Sequence, residues 1–237
     1  MWAYYVRSAG MVLVGALFLY LLLQCRFRQA LILGGGAVLV ALPWSLRNSA
    51  IGDEGSYFRQ LISVNPYFPE QGTVDLAGMV ERVQFNAGAY LSRILPEIFW
   101  PSATQTENGA LVSAAVGALV LCAAFVCIRR RQHLLLPLYA GLYLAMLLMW
   151  PSQWTDARFL VPLTPVLIFL VVLGTAALLG RFPQLRLAGT VLAGALLAGV
   201  LALNMGALNR LAQVGEGDYP PAWRNYHAAG QWLKANT

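Results

Sequence analysis

Charge is scarce in this chain. Of its 237 residues only 11% are Asp, Glu, Lys or Arg, while 59% are hydrophobic, a balance far from that of an ordinary soluble domain. The three cysteines, Cys25, Cys122 and Cys127, lack Cys-x-x-Cys spacing, which excludes a disulfide framework and a clustered metal site. They read as buried apolar fillers, and neither a metal nor a cofactor is expected. The two histidines stand apart from any Ser or Cys: His133 follows a run of arginines and His227 lies in a polar tail. Solvated roles suit both. Residues 1–8 lack the basic start and small-residue cleavage site of a signal peptide, and no Asn-x-Ser/Thr sequon occurs.

What is present is long apolar runs. They lie at about 9–24, 30–46, 108–128, 134–150, 160–180 and 187–207, each near the roughly 20 residues that cross a bilayer. The expected fold class is therefore all-α: a polytopic transmembrane helix bundle of about six helices, with one long outward loop containing interfacial helices. The bundle spans 1–209 with its outward loop at 47–107. Residues 210–237 form an amphipathic tail, expected to open a truncated extracytoplasmic domain.

The net charge of +6 is a statement about topology. Arg26 and Arg28, Arg129 to Arg131, and Arg181 with Arg186 place seven arginines and no acid in three short connections. All ten acids share the other side with the remaining nine basic residues. This positive-inside pattern puts the short loops in the cytoplasm and both termini and the long loop outside, as in a bacterial inner membrane with a periplasmic working face. Membrane lipids are the expected partners, and nucleic acid is excluded as one.

Within the long loop, Gly52-Asp53-Glu54-Gly55 and Asn65-Pro66-Tyr67-Phe68-Pro69 read as turns. From Val74 to about Ile98 the spacing becomes helical, with Leu76, Met79, Val80 and Val83 on an apolar face and Asp75, Glu81 and Arg82 opposite. Gly34-Gly35-Gly36 inside the second run reads as close helix packing.

Two constellations carry chemistry. Pro43-Trp44-Ser45-Leu46-Arg47-Asn48 ends a helix with an indole, a guanidinium and an amide; a snorkelling arginine beside an interfacial Trp is the competing reading. Trp150-Pro151-Ser152-Gln153-Trp154-Thr155-Asp156-Ala157-Arg158-Phe159, between two apolar helices, sets a carboxylate, a guanidinium and two indoles at a membrane edge. Arg158 presents a planar donor fork that suits phosphate oxygens, and Asp156 either orients it, binds an acceptor group or neutralises it. Pro162 fits a helix start, whereas Pro165, three residues deeper, should open a helical turn and free backbone groups.

Leu42-Pro43-Trp44-Ser45-Leu46-Arg47-Asn48, then Ser63-Val64-Asn65-Pro66 to Gly72, then Asp156-Ala157-Arg158-Phe159-Leu160-Val161-Pro162 together resemble the membrane glycosyltransferases of the GT-C superfamily. The nearest branch is that of bacterial protein O-mannosyltransferases and aminoarabinose transferases. The resemblance implies a transferase that moves a sugar from a polyprenyl-phosphate carrier to a lipid, glycan or protein acceptor on the non-cytoplasmic face. It assigns the carrier phosphate to Arg158 and Arg47, and lesser contacts to Asp156, Asn48, Trp154 and Tyr67. It also implies a C-terminal portion, because the family's acidic catalytic motif precedes the matched part; no catalytic residue is assigned here. Two other classes compete: a noncatalytic membrane scaffold or lipid-phosphate-binding module, and a transporter or flippase. The second is disfavoured by helix interiors almost free of charge.

Overall fold

A lipid-facing chain must satisfy its own backbone, and helices do that within one segment. The structure, a computed structural model, describes residues 10–51, 57–99, 109–180, 186–216, 229 and 232–234. Helices dominate these residues and no strand forms among them; one antiparallel bridge, Ser63 to Thr73, pins a loop. The helices are α1 (Met11–Leu23), α2 (Phe27–Ile51), α3 (Tyr57–Ile62), α4 (Leu76–Ala89), α5 (Leu95–Phe99), α6 (Gly109–Arg130), α7 (Leu135–Met149), α8 (Ala157–Leu160), α9 (Thr164–Leu179) and α10 (Arg186–Glu216). A widened turn of π type, Tyr90–Ile94, joins α4 to α5.

Three stretches are long and apolar enough to cross a membrane: Phe27–Arg47, Gly109–Arg130 and Ala157–Leu179. Three more, Met11–Leu23, Leu135–Met149 and Leu187–Ala202, are apolar but shorter. The expectation of six full spans is thus met for three. At a rise of about 1.5 Å per residue, the 13 residues of α1 reach only about two thirds of a hydrocarbon core roughly 30 Å thick. Two helices also outrun their expected limits: α2 continues beyond Arg47 to Ile51, and α10 passes residue 209 to end at Glu216.

The short connections are tight because two helices end in the same left-handed device. Cys25 takes φ 56°, its amide donates to Leu22 O and the amide of Arg26 to Leu21 O, both at 2.9 Å. Arg131 repeats this at φ 51°, with its amide on Ile128 O and that of Gln132 on Cys127 O. These paired bonds close a helix C-terminus, with a residue other than the usual glycine in the left-handed position. Cys25 is accordingly exposed rather than a buried filler, while Cys127 is buried and Cys122 half-buried.

The core lies where α6, α7 and α9 meet the α4–α5 segment. Val116, Tyr143, Leu147, Leu163, Leu167 and Leu170 are among its buried side chains. α1 packs on α2 and α7, and α10 packs on α9. α6 and α9 approach closely: a Cβ added at Gly174 would overlap the backbone carbonyl of Leu119, so only glycine fits that crossing. Of the expected glycine triplet, Gly34 alone meets a neighbour, the Phe18 ring at 3.2 Å; Gly35 and Gly36 face open space. Position in a helix does not say which face meets a partner, and α2 meets α1 on one side only.

Gly174→Val should therefore cost about 1–3 kcal/mol through overpacking, read as lower thermal stability in detergent. Gly117→Ala, whose Cβ meets nothing within 4 Å, should leave stability unchanged or raise it. Equal behaviour of the two variants would contradict the crossing.

Candidate functional site

At the end of the bundle where α7 stops and α9 begins, a helix that runs out in an apolar medium leaves carbonyls without partners. α7 ends at Met149, and the carboxamide of Asn86 closes that end. Its Nδ2 donates to Leu148 O at 2.9 Å and Trp150 O at 2.7 Å, and its Oδ1 accepts from the Thr155 hydroxyl at 2.5 Å. Asn86 is 0% exposed. One side chain thus seats both ends of the 150–155 turn on α4.

One turn earlier on α4, Arg82 does the same for another loop. Its guanidinium donates to Leu61 O and Ser63 O, each at 2.6 Å, the first within the last turn of α3 and the second just beyond it. It is 7% exposed and its partners are carbonyls, so burial lowers its pKa from the ordinary guanidinium value. The loop is also closed by Val64 N–H to Gly72 O and Val74 N–H to Ile62 O, with Gly72 at φ +82°.

These contacts correct the expected faces of this helix. The helical segment is where the spacing puts it, and Asp75 caps α4 by accepting from Gly78 N–H. Its buried stripe, however, runs Arg82, Asn86, Tyr90 and Ile94, whereas Leu76 is 84% exposed and Val80 50%. An apolar face turned outward suits an interfacial helix, and the polar stripe satisfies loop backbone within. The i, i+4 recurrence of Arg82, Asn86 and Tyr90 was the available signal.

The two loops meet through predicted residues. The Trp154 indole N–H donates to the Tyr67 hydroxyl at 2.7 Å, with the rings edge-on at 5.9 Å. Trp150 packs on Trp154 at 5.8 Å and on Phe159 at 6.5 Å. Its own Nε1 is buried with no hydrogen-bond partner among the described residues.

Asp156 and Arg158 are placed differently from each other. Asp156 is the N-cap of α8 and accepts from the Arg158 backbone N–H at 2.9 Å. The side-chain pair is loose: Arg158 Nε lies 4.0 Å from Asp156 Oδ1, with the side chains 66% and 55% exposed. The guanidinium rests over the Phe159 ring at 4.9 Å. Neutralising Arg158, one of the three roles expected of Asp156, is thus weak, and what the geometry displays is a role outside those three, the cap of α8. Arg47 is exposed near the end of α2, whose main packing partner is α1. Asn48 lies in α2, and its side chain falls outside the described residues, as do Asp53 and Glu54.

The proline pair behaves otherwise than expected. Val161–Leu163 forms a separate tight turn, so Pro162 and Pro165 each stand in the first turn of their own element. There a missing N–H costs nothing. The Thr164 hydroxyl donates to Leu160 O at 3.2 Å and its amide to Val161 O, so the break does not leave those carbonyls open.

Tyr90, 5% exposed, has its phenol pushed up to about 12 by burial first, then by Tyr143 and the negative charge of Asp156. Tyr143 donates to Phe159 O at 2.9 Å. The fold and site thus define a helical protein with three segments long and apolar enough to cross a membrane and a polar, aromatic-lined loop cluster at one end of its bundle. No family model, curated protein or solved structure matches the chain.

Because the folded pKa of Tyr90 lies above the ordinary value of 10.0, its stabilising contribution is complete below pH 10 and declines as pH rises toward 12. Ultraviolet difference titration should show the amplitude ionising near pH 12 reduced by one tyrosine in Tyr90→Phe. Loss of a step near pH 10 in that variant would contradict the placement.

Proposed function

We propose that this chain is part of an integral membrane glycosyltransferase of GT-C type, which takes sugar from a polyprenyl-phosphate carrier on the periplasmic face of a bacterial inner membrane. In this reading the six apolar helices form the polytopic bundle, the shorter ones tilting less or thinning the bilayer around them, and the short arginine-rich loops face the cytoplasm. Arg158 holds the carrier phosphate, with Arg47 as a second cation. The observation that carries this reading is the state of Arg158. It is two-thirds exposed at 66%, its nearest carboxylate stands 4.0 Å away, and that carboxylate is already committed to a helix cap.

A guanidinium so presented keeps its terminal donors for a ligand, and phosphate oxygens match its fork. As the sugar bond breaks, negative charge grows on the leaving phosphate, and a fixed cation stabilises it. Trp154 and Tyr67, already joined, offer an aromatic wall for sugar or prenyl carbon. The buried Trp150 N–H would gain a partner from a ligand oxygen reaching it, relieving an unmet donor.

A second reading has an observation of its own. Glu70, Asp75, Glu81, Glu97 and Asp156, the carboxylates whose side chains are described outside the membrane spans, are all exposed, and general-base activation wants a positioned carboxylate. That favours a noncatalytic lipid-phosphate-binding module, in which Arg158 keeps the same role without transfer.

Both readings rest on carrier binding. With the chain in neutral nanodiscs, a polyprenyl phosphate should bind about tenfold or more weaker to Arg158→Ala, since a charge-assisted hydrogen bond contributes about 1.5–3 kcal/mol. Arg158→Lys should recover part of the affinity. Unchanged binding in Arg158→Ala, with unaltered thermal stability, would overturn the role.

A further inference from the structure

At the end of the bundle opposite the loop cluster, α6 and α9 stop side by side. Both belong to stretches long and apolar enough to cross a membrane, so their ends, at Arg130 and Leu179, fall where a spanning helix meets lipid headgroups. Past the close crossing at Gly174, a recess of about 580 Å³ opens between these ends. From α6 come the apolar Phe125 and Val126 and the charged Arg129 and Arg130. On the α9 side Leu173 adds to the apolar part, and Ala176, Ala177 and Gly180 keep the wall shallow.

The two arginines are exposed. Arg129 is turned back along the span: its guanidinium lies over the Phe125 ring one turn earlier, 5.8 Å from the centroid. That sets a cation directly against the apolar part of the recess. No carboxylate neutralises either arginine among the described residues, whose one ion pair is that of Arg158 with Asp156. The sequence itself places no Asp or Glu in 108–155 or 157–215, which contain α6, α9 and the connections that follow them.

Uncompensated cations at the mouth of an apolar groove between two spans match an anion that brings its own apolar body. A soluble anion would leave Phe125, Val126 and Leu173 uncovered, and an uncharged lipid would leave the guanidiniums unused. We propose that this recess binds an anionic phospholipid, with its phosphodiester on Arg129 and Arg130 and its acyl chains along Phe125, Val126 and Leu173. The small residues of α9 leave room for the glycerol backbone. This site is independent of the carrier reading, since it lies at the other end of the spans and uses neither Arg158 nor Arg47.

Native mass spectrometry of the full chain, released from nanodiscs of equal phosphatidylglycerol and phosphatidylcholine, tests it. One phosphatidylglycerol should be retained in preference to phosphatidylcholine. Arg129→Gln combined with Arg130→Gln should lower that retention about tenfold or more, with thermal stability in pure phosphatidylcholine unaltered. Ala176→Leu replaces an exposed side chain with a residue almost as favourable in a helix, and should lower retention with both arginines in place by filling the recess. Arg26 and Arg28 are exposed at the same end, where the end of α1 meets that of α6, and do not line this recess; changing both to Gln should leave retention as in wild type. Equal loss in that pair would reveal a general attraction of charge and overturn the site, as would undiminished retention in Ala176→Leu or no preference over phosphatidylcholine. Excess glycerol 3-phosphate should not displace the lipid, and displacement would overturn the part given to the acyl chains.

Discussion

The Asn86 carboxamide is the interaction on which the rest of this end of the molecule depends. A helix that stops near lipid must have its last carbonyls bonded, and α7 stops where no following helix continues it. Asn86 supplies two donors to Leu148 O and Trp150 O and takes the Thr155 hydroxyl on its oxygen. Both ends of the turn are thereby fixed to a neighbouring helix. The indoles lie in that turn, and the Asp156 cap and the Arg158 guanidinium follow it in sequence and inherit its position. Full burial makes the arrangement demanding: each amide group left without its partner would cost about 1–3 kcal/mol.

Arg82 and Asn86 give α4 a function that its interfacial character conceals. It presents apolar residues such as Leu76 outward and polar ones inward, the reverse of a soluble amphipathic helix. The inward polar groups are matched to backbone carbonyls of two loops, so the helix organises irregular chain that could not otherwise sit against a bundle. The same helix then borders a recess with its next face, through Gln84, Phe85 and Gly88. The 150–155 turn and this recess are in this way two sides of one scaffold.

Much of this was legible in the residues and some was not. Apolar run length located the helices, because burying backbone polar groups leaves a helix as the local solution. It placed the ends of α1 and α7 slightly too far out and that of α10 too early, since where a helix ends depends on terminal bonding such as the left-handed Cys25, which hydropathy does not register. Tyr67 and Trp154 stand in the sequence as separate aromatics, and their joining across 87 positions is a tertiary fact. The apolar spacing of α4 marks a helix without saying which face meets the bundle: Leu76 and Val80 are exposed, and the buried stripe includes the polar Arg82 and Asn86. In a medium that is itself apolar, the polar stripe identifies the inner side. Pro165 was assigned a deep helical position because the tight turn at Val161–Leu163, which restarts the helix, leaves no mark in the apolar pattern.

The most direct test of this account is hydrogen exchange of the 150–159 segment in Asn86→Ala compared with wild type. The account predicts that amides of Trp154, Thr155 and Arg158 exchange much faster in the variant, while those in the middle of α6 and α9 keep wild-type protection. Unchanged protection of the segment in a folded Asn86→Ala protein would contradict the claim that this one side chain holds the site in place.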